Sequence, residues 1–397
     1  MDESIKMKKP ILIVFTGPME LGGIERSLLG LMDAINYNEY DVDLFLYGHH
    51  GPLLSQINPE VNLLPEVKEL AFLQESFVSK IKHRCFYAAA LRLRDEIIRH
   101  FMQVDYYATW AQVTRRKIVP FVKNYDLAIG FFRPFDLIIE KVHAKKKVGW
   151  IHTDYKNAKE NLDMIEKDYS RLNAIVAVSE ACAENFASLF PSLQNRIVTI
   201  ENILSVPYIV RKSKELIAAD EMPDDGSIRL LTVGRFSPPK NIINIPDICK
   251  RIREEGLNVK WYLIGFGSEE EKIREKIKEL EMHDHVIVLG KKENPYPFIA
   301  KCDVYVQPSL YEGKSVCVRE AQVLCKPVVI TNYETSRSQL EDNVDGIIVP
   351  MDNEGCAKGI ASLLRNPEKM RELEKNCSIR DYSNSEEVQK VYKLMIC

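Results

Sequence analysis

The sequence predicts an α/β protein that folds as two doubly wound parallel sheets. Runs of branched and aromatic residues alternate with helical patterns along the chain, as parallel sheets with helices on both faces require. The length of 397 residues exceeds what one hydrophobic core usually supports. The charged fraction of 28% fits an ordinary globular protein, and the net charge of -3 argues against nucleic acid as a partner.

The first domain is predicted to span residues 1–212. Its strands are expected in five apolar runs: ILIVF (11–15), VDLFLY (42–47), LAIGF (127–131), KVGWIH (147–152) and AIVAVS (174–179). The first run is too short for a signal peptide, because Gly17 and Pro18 follow it at once. No segment approaches the roughly 20 apolar residues of a membrane span, so any contact with a membrane is expected to be peripheral.

The second domain is predicted to span residues 228–380. Its strands are expected in six runs: RLLTVG (229–234), VKWYLIG (259–265), VIVLG (286–290), DVYVQ (303–307), PVVIT (327–331) and GIIV (346–349). The polar segment 213–227 ends in Pro-Asp-Asp-Gly and is interpreted as the linker between the domains. Residues 381–397 predict a closing helix that can pack on either domain, including a return to the first.

Metal and disulfide chemistry find little support in the sequence. The nine cysteines are scattered without a C-x-x-C pair, which predicts reduced thiols in a cytoplasmic protein. Asp41 and Asp43 have D-x-D spacing, but they precede the apolar part of a strand and are interpreted as solvated residues. No histidine spacing indicates zinc. We therefore expect neither a metal nor another cofactor.

Ligands of open α/β sheets bind beyond the carboxyl ends of the strands, and two such domains facing each other would share one cleft. Gly22 and Gly23 follow the first strand and open a helix, where backbone N–H groups can approach an anionic group. The pair lacks the spacing of ATPase or dehydrogenase glycine motifs. The alternative is a plain turn from strand to helix.

Arg235 and Lys240 follow the first strand of the second domain. A guanidinium can bind phosphate oxygens through two hydrogen bonds while an ammonium acts as a point charge, so the pair suits a diphosphate. The alternative is two solvated surface cations.

Two glutamates lie eight positions apart in YEGKSVCVREAQ (311–322). Glu312 precedes Gly313 in a predicted loop, and Glu320 falls in the helix that follows. The helical rise places them close enough to line one elongated ligand, with each carboxylate accepting hydrogen bonds from hydroxyls. The alternative is that Glu320 pairs with a neighbouring cation or with Arg319 in a surface network.

His152 lies at the end of a strand of the first domain, beside polar residues. This position favours a functional histidine, although a structural hydrogen bond is the alternative.

The segment 78–124 carries ten lysines or arginines with interleaved aromatics. It predicts helices with solvated faces, and a basic amphipathic helix can also lie on an anionic membrane.

Taken together, these stretches resemble glycosyltransferase family 4, the retaining nucleotide-sugar transferases of the GT-B fold. The resemblance covers nearly the whole chain, in the order GGIERSLL, GWIHTDY, AVSEACAENF, IENI, VGRFSPPKN, LIGFGSEEEKI and SLYEGKSVCVREAQVLCKPVVITN. WIHTDY and EGKSVCVREA are similar to the enzymes that build bacterial capsules and other surface polysaccharides. The resemblance implies that the first domain binds the acceptor and the second the nucleotide sugar.

The resemblance also implies a role for each candidate residue. The diphosphate would be approached by Gly22 and Gly23 and held by Arg235 and Lys240. Glu312 would bind sugar hydroxyls, Glu320 the ribose hydroxyls, and His152 would face the transferred sugar. Backbone N–H groups of the next three residues, Gly313, Lys314 and Ser315, would point towards the sugar or the phosphates. Lys314 and Arg319 depart from the residues that relatives often carry, which leaves the donor identity open.

These expectations describe a glycosyltransferase. It would transfer a hexose from a UDP- or GDP-sugar to a lipid-linked saccharide acceptor at the cytoplasmic face of the membrane. One alternative is a GT-B sugar-phosphate synthase or phosphorylase that acts on a soluble acceptor. Another is a non-catalytic partner that binds nucleotide sugars. Nothing in the pair of glutamates marks one as acid and the other as base, which argues against a glycosidase.

Overall fold

The computed structural model describes residues 8–71, 90, 108–152, 155, 162–216 and 221–396. Within these residues the chain divides into two compact units. The first comprises the chain up to Ile203 together with the residues from Ser385 onward, and the second runs from Leu204 to Asn384.

The first unit contains a parallel sheet of seven strands in the order β3-β2-β1-β4-β5-β6-β7. Its strands are β1 Lys9–Phe15, β2 Tyr40–Leu46, β3 Asn62–Leu63, β4 Asn124–Gly130, β5 His143–Ile151, β6 Ala174–Ala177 and β7 Ile197–Thr199. Its described helices are Gly23–Ala34, Lys68–Ala71, Ala108–Lys117, Asp136–Lys141, Leu162–Ser170, Glu180–Leu189 and Val388–Lys393. The central strands are apolar and almost fully buried, because helices cover both faces of the sheet.

The second unit contains a parallel sheet of six strands in the order β10-β9-β8-β11-β12-β13. Its strands are β8 Ile228–Val233, β9 Val259–Ile264, β10 Val286–Gly290, β11 Val304–Gln307, β12 Val328–Thr331 and β13 Ile347–Val349. Its described helices are Val206–Lys212, Ile245–Glu254, Glu270–Glu279, Tyr296–Lys301, Val316–Val323, Ser336–Gln339, Asn353–Leu364 and Pro367–Ser378. Apolar clusters lie on both faces of the sheet, around Trp261 on one and Tyr305 on the other.

The predicted fold class is confirmed, because each unit is a doubly wound α/β domain. All the predicted runs form strands within one or a few residues of the predicted ends. The sequence analysis missed β3 and β7, which are only two and three residues long. Such short edge strands leave no alternating pattern to detect.

The chain enters the second unit before the predicted linker at 213–227. The helix Val206–Lys212 belongs to the second unit, since Ile209 packs in the same apolar cluster as Tyr296 and Phe298. Local sequence patterns could not show this, because they predict a helix without indicating the domain on which it packs.

The end of the chain packs on the first unit. Val388, Val391 and Leu394 join its core, and the ring of Tyr392 stacks on Tyr40 with 4.1 Å between ring centroids. None of the helices in the described residues is long and apolar enough to cross a bilayer.

Candidate active site

The crevice of a doubly wound sheet lies where the strand order reverses, and in the second unit this is between β8 and β11. β8 continues to β9 on one side, while β11 continues to β12 on the other. The segments 234–240 and 308–315 follow these two strands and therefore border the crevice. They contain most of the predicted site residues of this unit.

Lys240 and Glu312 form an ion pair across this crevice. Lys240 ends a 3-10 turn, Pro238–Lys240, and Glu312 lies in the loop after β11. The distance from Lys240 Nζ to Glu312 Oε1 is 2.5 Å, and the two side chains are 24% and 10% exposed. The structure thus brings together two residues that the sequence analysis assigned to the diphosphate and the sugar.

The loop that carries Glu312 is fixed through its backbone. Thr331 Oγ1 donates to the carbonyl of Ser309, and Thr335 Oγ1 donates to the carbonyl of Glu312 at 2.7 Å. The N–H of Leu310 donates to the carbonyl of Pro239 at 2.9 Å, which ties the loop to the turn before Lys240. Glu312 is therefore held in place before any ligand arrives.

The backbone N–H of Ser315 is already engaged, contrary to the prediction that it faces a ligand. It donates to Gln339 Oε1 at 2.6 Å, and Gln339 Nε2 donates back to the Ser315 carbonyl at 3.3 Å. The sequence could not reveal this contact because the amide side chain lies 24 positions further along the chain. Gly313 and Lys314 are partly exposed beside it, and their roles stay predictions.

Arg235 lies two residues beyond β8, and its side chain is exposed. Its guanidinium has no ion pair within the described part of the chain. The stem of Lys240 passes close by, since a Cβ atom placed on Gly234 would lie 3.9 Å from Lys240 Cδ. Two cations therefore follow β8, Lys240 already paired with Glu312 and Arg235 exposed to solvent.

Glu320 is fully buried in the helix Val316–Val323, where Tyr296 donates its hydroxyl to Oε1 at 2.8 Å. Arg319 is buried too, and its Nη2 donates to the carbonyl of Tyr382 at 2.9 Å. The alternative of a surface network is therefore wrong for both residues. Contact between Glu320 and ribose hydroxyls stays a prediction.

Gly22 and Gly23 stand at the start of the helix Gly23–Ala34, as predicted. Gly22 is the N-cap, with extended backbone at φ -82° and ψ 167°, and as a glycine it has no side chain to cap the helix; the Glu25 carboxylate of the first turn lies against it. Uncapped N–H groups at a helix start can bind an anion. Neither glycine has a positive φ, so left-handed backbone does not explain the pair.

His152 follows β5, and its Nε2 lies 2.8 Å from the carbonyl oxygen of Phe131. A carbonyl only accepts, so Nε2 carries the proton and Nδ1 is the acceptor in the neutral ring. Burial lowers the pKa of His152 to about 4, despite the opposing effect of this hydrogen bond. The imidazole is therefore neutral at physiological pH.

The sequence analysis missed Arg133, which follows β4 and is only 3% exposed. Its Nε and Nη2 both donate to Asp168 Oδ2, at 3.2 and 2.7 Å. Its carbonyl accepts a hydrogen bond from Thr16 Oγ1 at 2.7 Å. The signal available was a cation directly after a buried strand, the same signal that singled out Arg235.

Gly265 and Gly267 were also missed as site residues. They follow β9 with φ angles of 152° and 158°, and a Cβ on either would collide with the backbone after β8. Glycine is thus required where these two loops meet. Phe266, between them, is 50% exposed.

Most of the basic segment 78–124 lies outside the described residues. In its described part, Arg115 pairs with Glu140 at 2.9 Å, so this cation is not free for a membrane. Val119 and Val122, by contrast, are 80% and 94% exposed. Exposed apolar residues beside cations are a feature of surfaces that contact lipid.

Asp43 is not the solvated residue that the sequence predicts. It is buried and accepts hydrogen bonds from Asn62, Tyr125 and Lys123 at 2.7 to 3.0 Å. Burial favours a raised pKa, but these hydrogen bonds outweigh it and lower the pKa of the carboxyl. Asp41 is exposed, and no group of three metal-binding side chains occurs among the described residues.

Comparison with known proteins identifies what the second unit resembles. Residues 213–379 match the family model of glycosyl transferases group 1. A Campylobacter jejuni enzyme, N-acetylgalactosamine-N,N'-diacetylbacillosaminyl-diphospho-undecaprenol 4-alpha-N-acetylgalactosaminyltransferase, is 26% identical over 55% of this chain and 58% of its own length. The UDP-Gal:alpha-D-GlcNAc-diphosphoundecaprenol alpha-1,3-galactosyltransferase of Escherichia coli is 24% identical over 41% of this chain and 43% of its own. The chain thus spans about half the length of these curated relatives.

A solved structure extends the likeness to the whole fold. TarM of S. aureus, crystallised as a mutant in complex with fondaparinux, alpha-GlcNAc-glycerol and UDP, superposes with a TM-score of 0.70 at 16% identity. The match covers 98% of this chain and 100% of TarM. The fold is therefore GT-B, and the second unit is similar to the group 1 glycosyl transferases.

Proposed function

We propose that this protein is a retaining glycosyltransferase of family 4, which transfers a hexose from a UDP- or GDP-sugar to a lipid-linked saccharide. The observation that carries the proposal is the Lys240–Glu312 pair at the crevice between β8 and β11, with the exposed Arg235 beside it. A carboxylate that can accept from sugar hydroxyls lies next to cations that can bind a diphosphate. This is the pair of chemistries that a nucleotide sugar presents.

In this proposal Arg235 and Lys240 bind the diphosphate and stabilise the negative charge that develops as it leaves. No metal or other cofactor is needed, since fixed cations can supply such stabilisation. Glu312 accepts hydrogen bonds from the sugar, and Glu320 binds the ribose after local movement exposes it. Backbone N–H groups of Gly313 and Lys314 complete the donor site.

In the first unit, we assign an anionic group of the ligand to the helix start at Gly22 and Gly23, where it would take the place of the Glu25 carboxylate that lies against Gly22. His152 presents neutral Nδ1 as a hydrogen-bond acceptor for a sugar hydroxyl. Because this ring is neutral near pH 7, it serves in positioning and does not add charge.

Retention of configuration is proposed from the names of the relatives, on the premise that the donor sugar is alpha-linked to its diphosphate. The two curated enzymes are named for alpha-linked products, and the TarM complex holds an alpha-linked glycerol glycoside beside UDP. We propose that the acceptor oxygen attacks the face from which the diphosphate departs. The carbon–phosphate oxygen bond breaks, the new glycosidic bond forms, and the leaving phosphate takes the acceptor proton.

The proposed acceptor is a lipid-linked saccharide in bacterial surface polysaccharide synthesis, such as that of a capsule. Both curated relatives are named for saccharides on diphospho-undecaprenol. The protein would then work in the cytoplasm as a peripheral protein at the membrane, which the exposed Val119 and Val122 would help it to contact.

The test begins with melting temperatures of the purified protein in a panel of UDP- and GDP-sugars, since a ligand of the native state raises the melting temperature. Sugars that bind are then incubated with undecaprenyl-diphosphate saccharides, with and without EDTA. We expect release of the nucleoside diphosphate, an alpha-linked product by NMR, and no effect of EDTA. Absence of both binding and release with every donor would overturn the proposal.

A further inference from the structure

A line of buried side chains leads from the core of the second unit to Glu312. Tyr305 and Gln307 lie on β11, Ser309 follows it, and all three are fully buried. The Tyr305 hydroxyl lies 2.9 Å from Gln307 Oε1, Gln307 Nε2 lies 3.0 Å from Ser309 Oγ, and Ser309 Oγ lies 2.8 Å from Glu312 Oε1. Each contact falls within hydrogen-bonding distance, so the line is continuous.

The charge on Glu312 fixes the direction of every bond in this line. An ionised carboxylate only accepts hydrogen bonds, so Ser309 must donate its single hydroxyl proton to Glu312. Ser309 then accepts from Gln307, which requires the Gln307 amide nitrogen to face Ser309 and its oxygen to face Tyr305. With the amide reversed, Ser309 would donate to Gln307 and Glu312 would lose a donor. Gln307 and Ser309 therefore both donate towards the carboxylate, while the single Tyr305 hydroxyl proton is shared between Gln307 Oε1 at 2.9 Å and the Val233 carbonyl at 3.2 Å.

The two oxygens of Glu312 are unequal as a result. Oε1 accepts from both Ser309 and Lys240, whereas Oε2 has no partner among the described residues. Resting on the proposed function, we propose that Ser309 and Gln307 are positioning residues that hold Oε1 within the protein and so present Oε2 to a hydroxyl of the donor sugar.

This role is separate from holding the loop. The hydroxyls of Thr331 and Thr335 bind backbone carbonyls of Ser309 and Glu312, and those bonds do not involve the Ser309 hydroxyl. Removing that hydroxyl therefore leaves the loop backbone anchored while it frees the carboxylate to turn. Thr331→Val is the matched control, because it removes one buried hydroxyl that contacts the same residue through its backbone only.

The test compares affinities for a nucleotide sugar and for the matching diphosphate alone. Wild type, Ser309→Ala, Gln307→Met and Thr331→Val are titrated calorimetrically with UDP and with the UDP-sugar that most raises the wild-type melting temperature, or with the GDP pair if the panel selects it. Once Glu312 is free to turn, its charge-assisted hydrogen bond to the sugar hydroxyl is weakened, so we expect Ser309→Ala to weaken sugar-nucleotide binding about 10-fold. Its affinity for the diphosphate should change less than about 2-fold.

Gln307→Met should shift the sugar-nucleotide affinity in the same direction by a smaller factor, which keeps the test informative if Ser309→Ala folds poorly. Thr331→Val should lower the melting temperature and leave the ratio of the two affinities unchanged, because Thr335 and the N–H of Leu310 still anchor the loop. The positioning role would be overturned if Ser309→Ala and Gln307→Met lost affinity equally for the diphosphate and the sugar nucleotide, or lost no affinity for the sugar nucleotide. The proposed function would stand in either case. A wild-type protein that binds neither compound overturns the proposed function itself.

Discussion

The two units place an ion pair at the same topological position, directly beyond the fourth strand of each sheet. In the first unit Arg133 follows β4 and binds Asp168, and in the second Glu312 follows β11 and binds Lys240. Asp168 and Lys240, the residues that complete the two pairs, come from different places in the sheet. Asp168 comes from the helix after β5, on the same side of the strand reversal, whereas Lys240 follows β8 and lies across the reversal.

The two pairs also differ in which member is exposed. Arg133 is only 3% exposed and directs two N–H groups at one oxygen of Asp168, which is 24% exposed, whereas in the second pair the cation Lys240 is 24% exposed and Glu312 only 10%. A buried cation held by two bonds stabilises the domain, and a partly exposed one can exchange its partner for a ligand. The same position in the same fold thus serves stability in one unit and, we propose, binding in the other.

Breaking the Arg133 pair should have the largest effect on folding. Asp168→Asn removes the negative charge from the oxygen that accepts two hydrogen bonds from the buried guanidinium, and we expect the first unit to lose about 3 kcal/mol of stability. Urea unfolding followed by near-UV circular dichroism would measure the loss. The control is Glu354→Gln, which removes an exposed pair with Lys358 and should cost less than about 0.5 kcal/mol. Equal costs would show that the Arg133 pair does not stabilise the unit.

Replacing Glu312, the acidic member of the Lys240–Glu312 pair, should instead change binding of the nucleotide sugar. Glu312→Gln keeps the side-chain size and leaves the partly exposed Lys240 able to reach water, so we expect a smaller loss of stability than for Asp168→Asn. Loss of a charged acceptor for sugar hydroxyls should lower kcat/KM for the nucleotide sugar about 10- to 100-fold. Steady-state release of the nucleoside diphosphate would report it. Unchanged kcat/KM would remove Glu312 from the donor site.

The sequence predicted the strands and the loops of the second unit well, because buried parallel strands leave apolar runs and polar residues follow their ends. Lys240 and Glu312 were both found in this way. The sequence did not predict three other features: the hydrogen bonds between Ser315 and Gln339, the burial of Glu320 beside Tyr296, and the line of hydrogen bonds that ends at Glu312. Each depends on how distant segments pack, and local patterns carry no such information.

Lys240→Met removes the basic member of the Lys240–Glu312 pair and tests its role in binding the diphosphate. We expect affinity for the nucleoside diphosphate to fall about 5- to 10-fold, since one phosphate contact is lost while Arg235 remains. This is the opposite pattern to Ser309→Ala, which should affect the sugar-bearing compound selectively. Calorimetric titration with UDP measures the effect, and Lys358→Met serves as the exposed control. Tighter binding of UDP by Lys240→Met would contradict the assignment.

The last prediction concerns the pH dependence of stability at His152 of the first unit. Its folded-state pKa of about 4 lies below the usual value of 6.5, so the unfolded chain binds more protons between these pH values. Stability is therefore expected to fall as pH decreases from 6.5 to 4. Denaturation midpoints across this range should fall less steeply for His152→Asn than for wild type. His283→Gln, at a side chain 71% exposed, should keep the wild-type slope.

The return of the chain end to the first unit has a consequence for dissecting the molecule. The second unit is a continuous insertion whose first and last segments meet, because the N–H of Leu204 donates to the carbonyl of Ser383 at 2.8 Å. It can be excised as one fragment with neighbouring termini. The first unit has no such contiguous fragment, since cutting the chain after Asn384 removes Val388 and Val391 from a core built almost entirely of residues before Leu204.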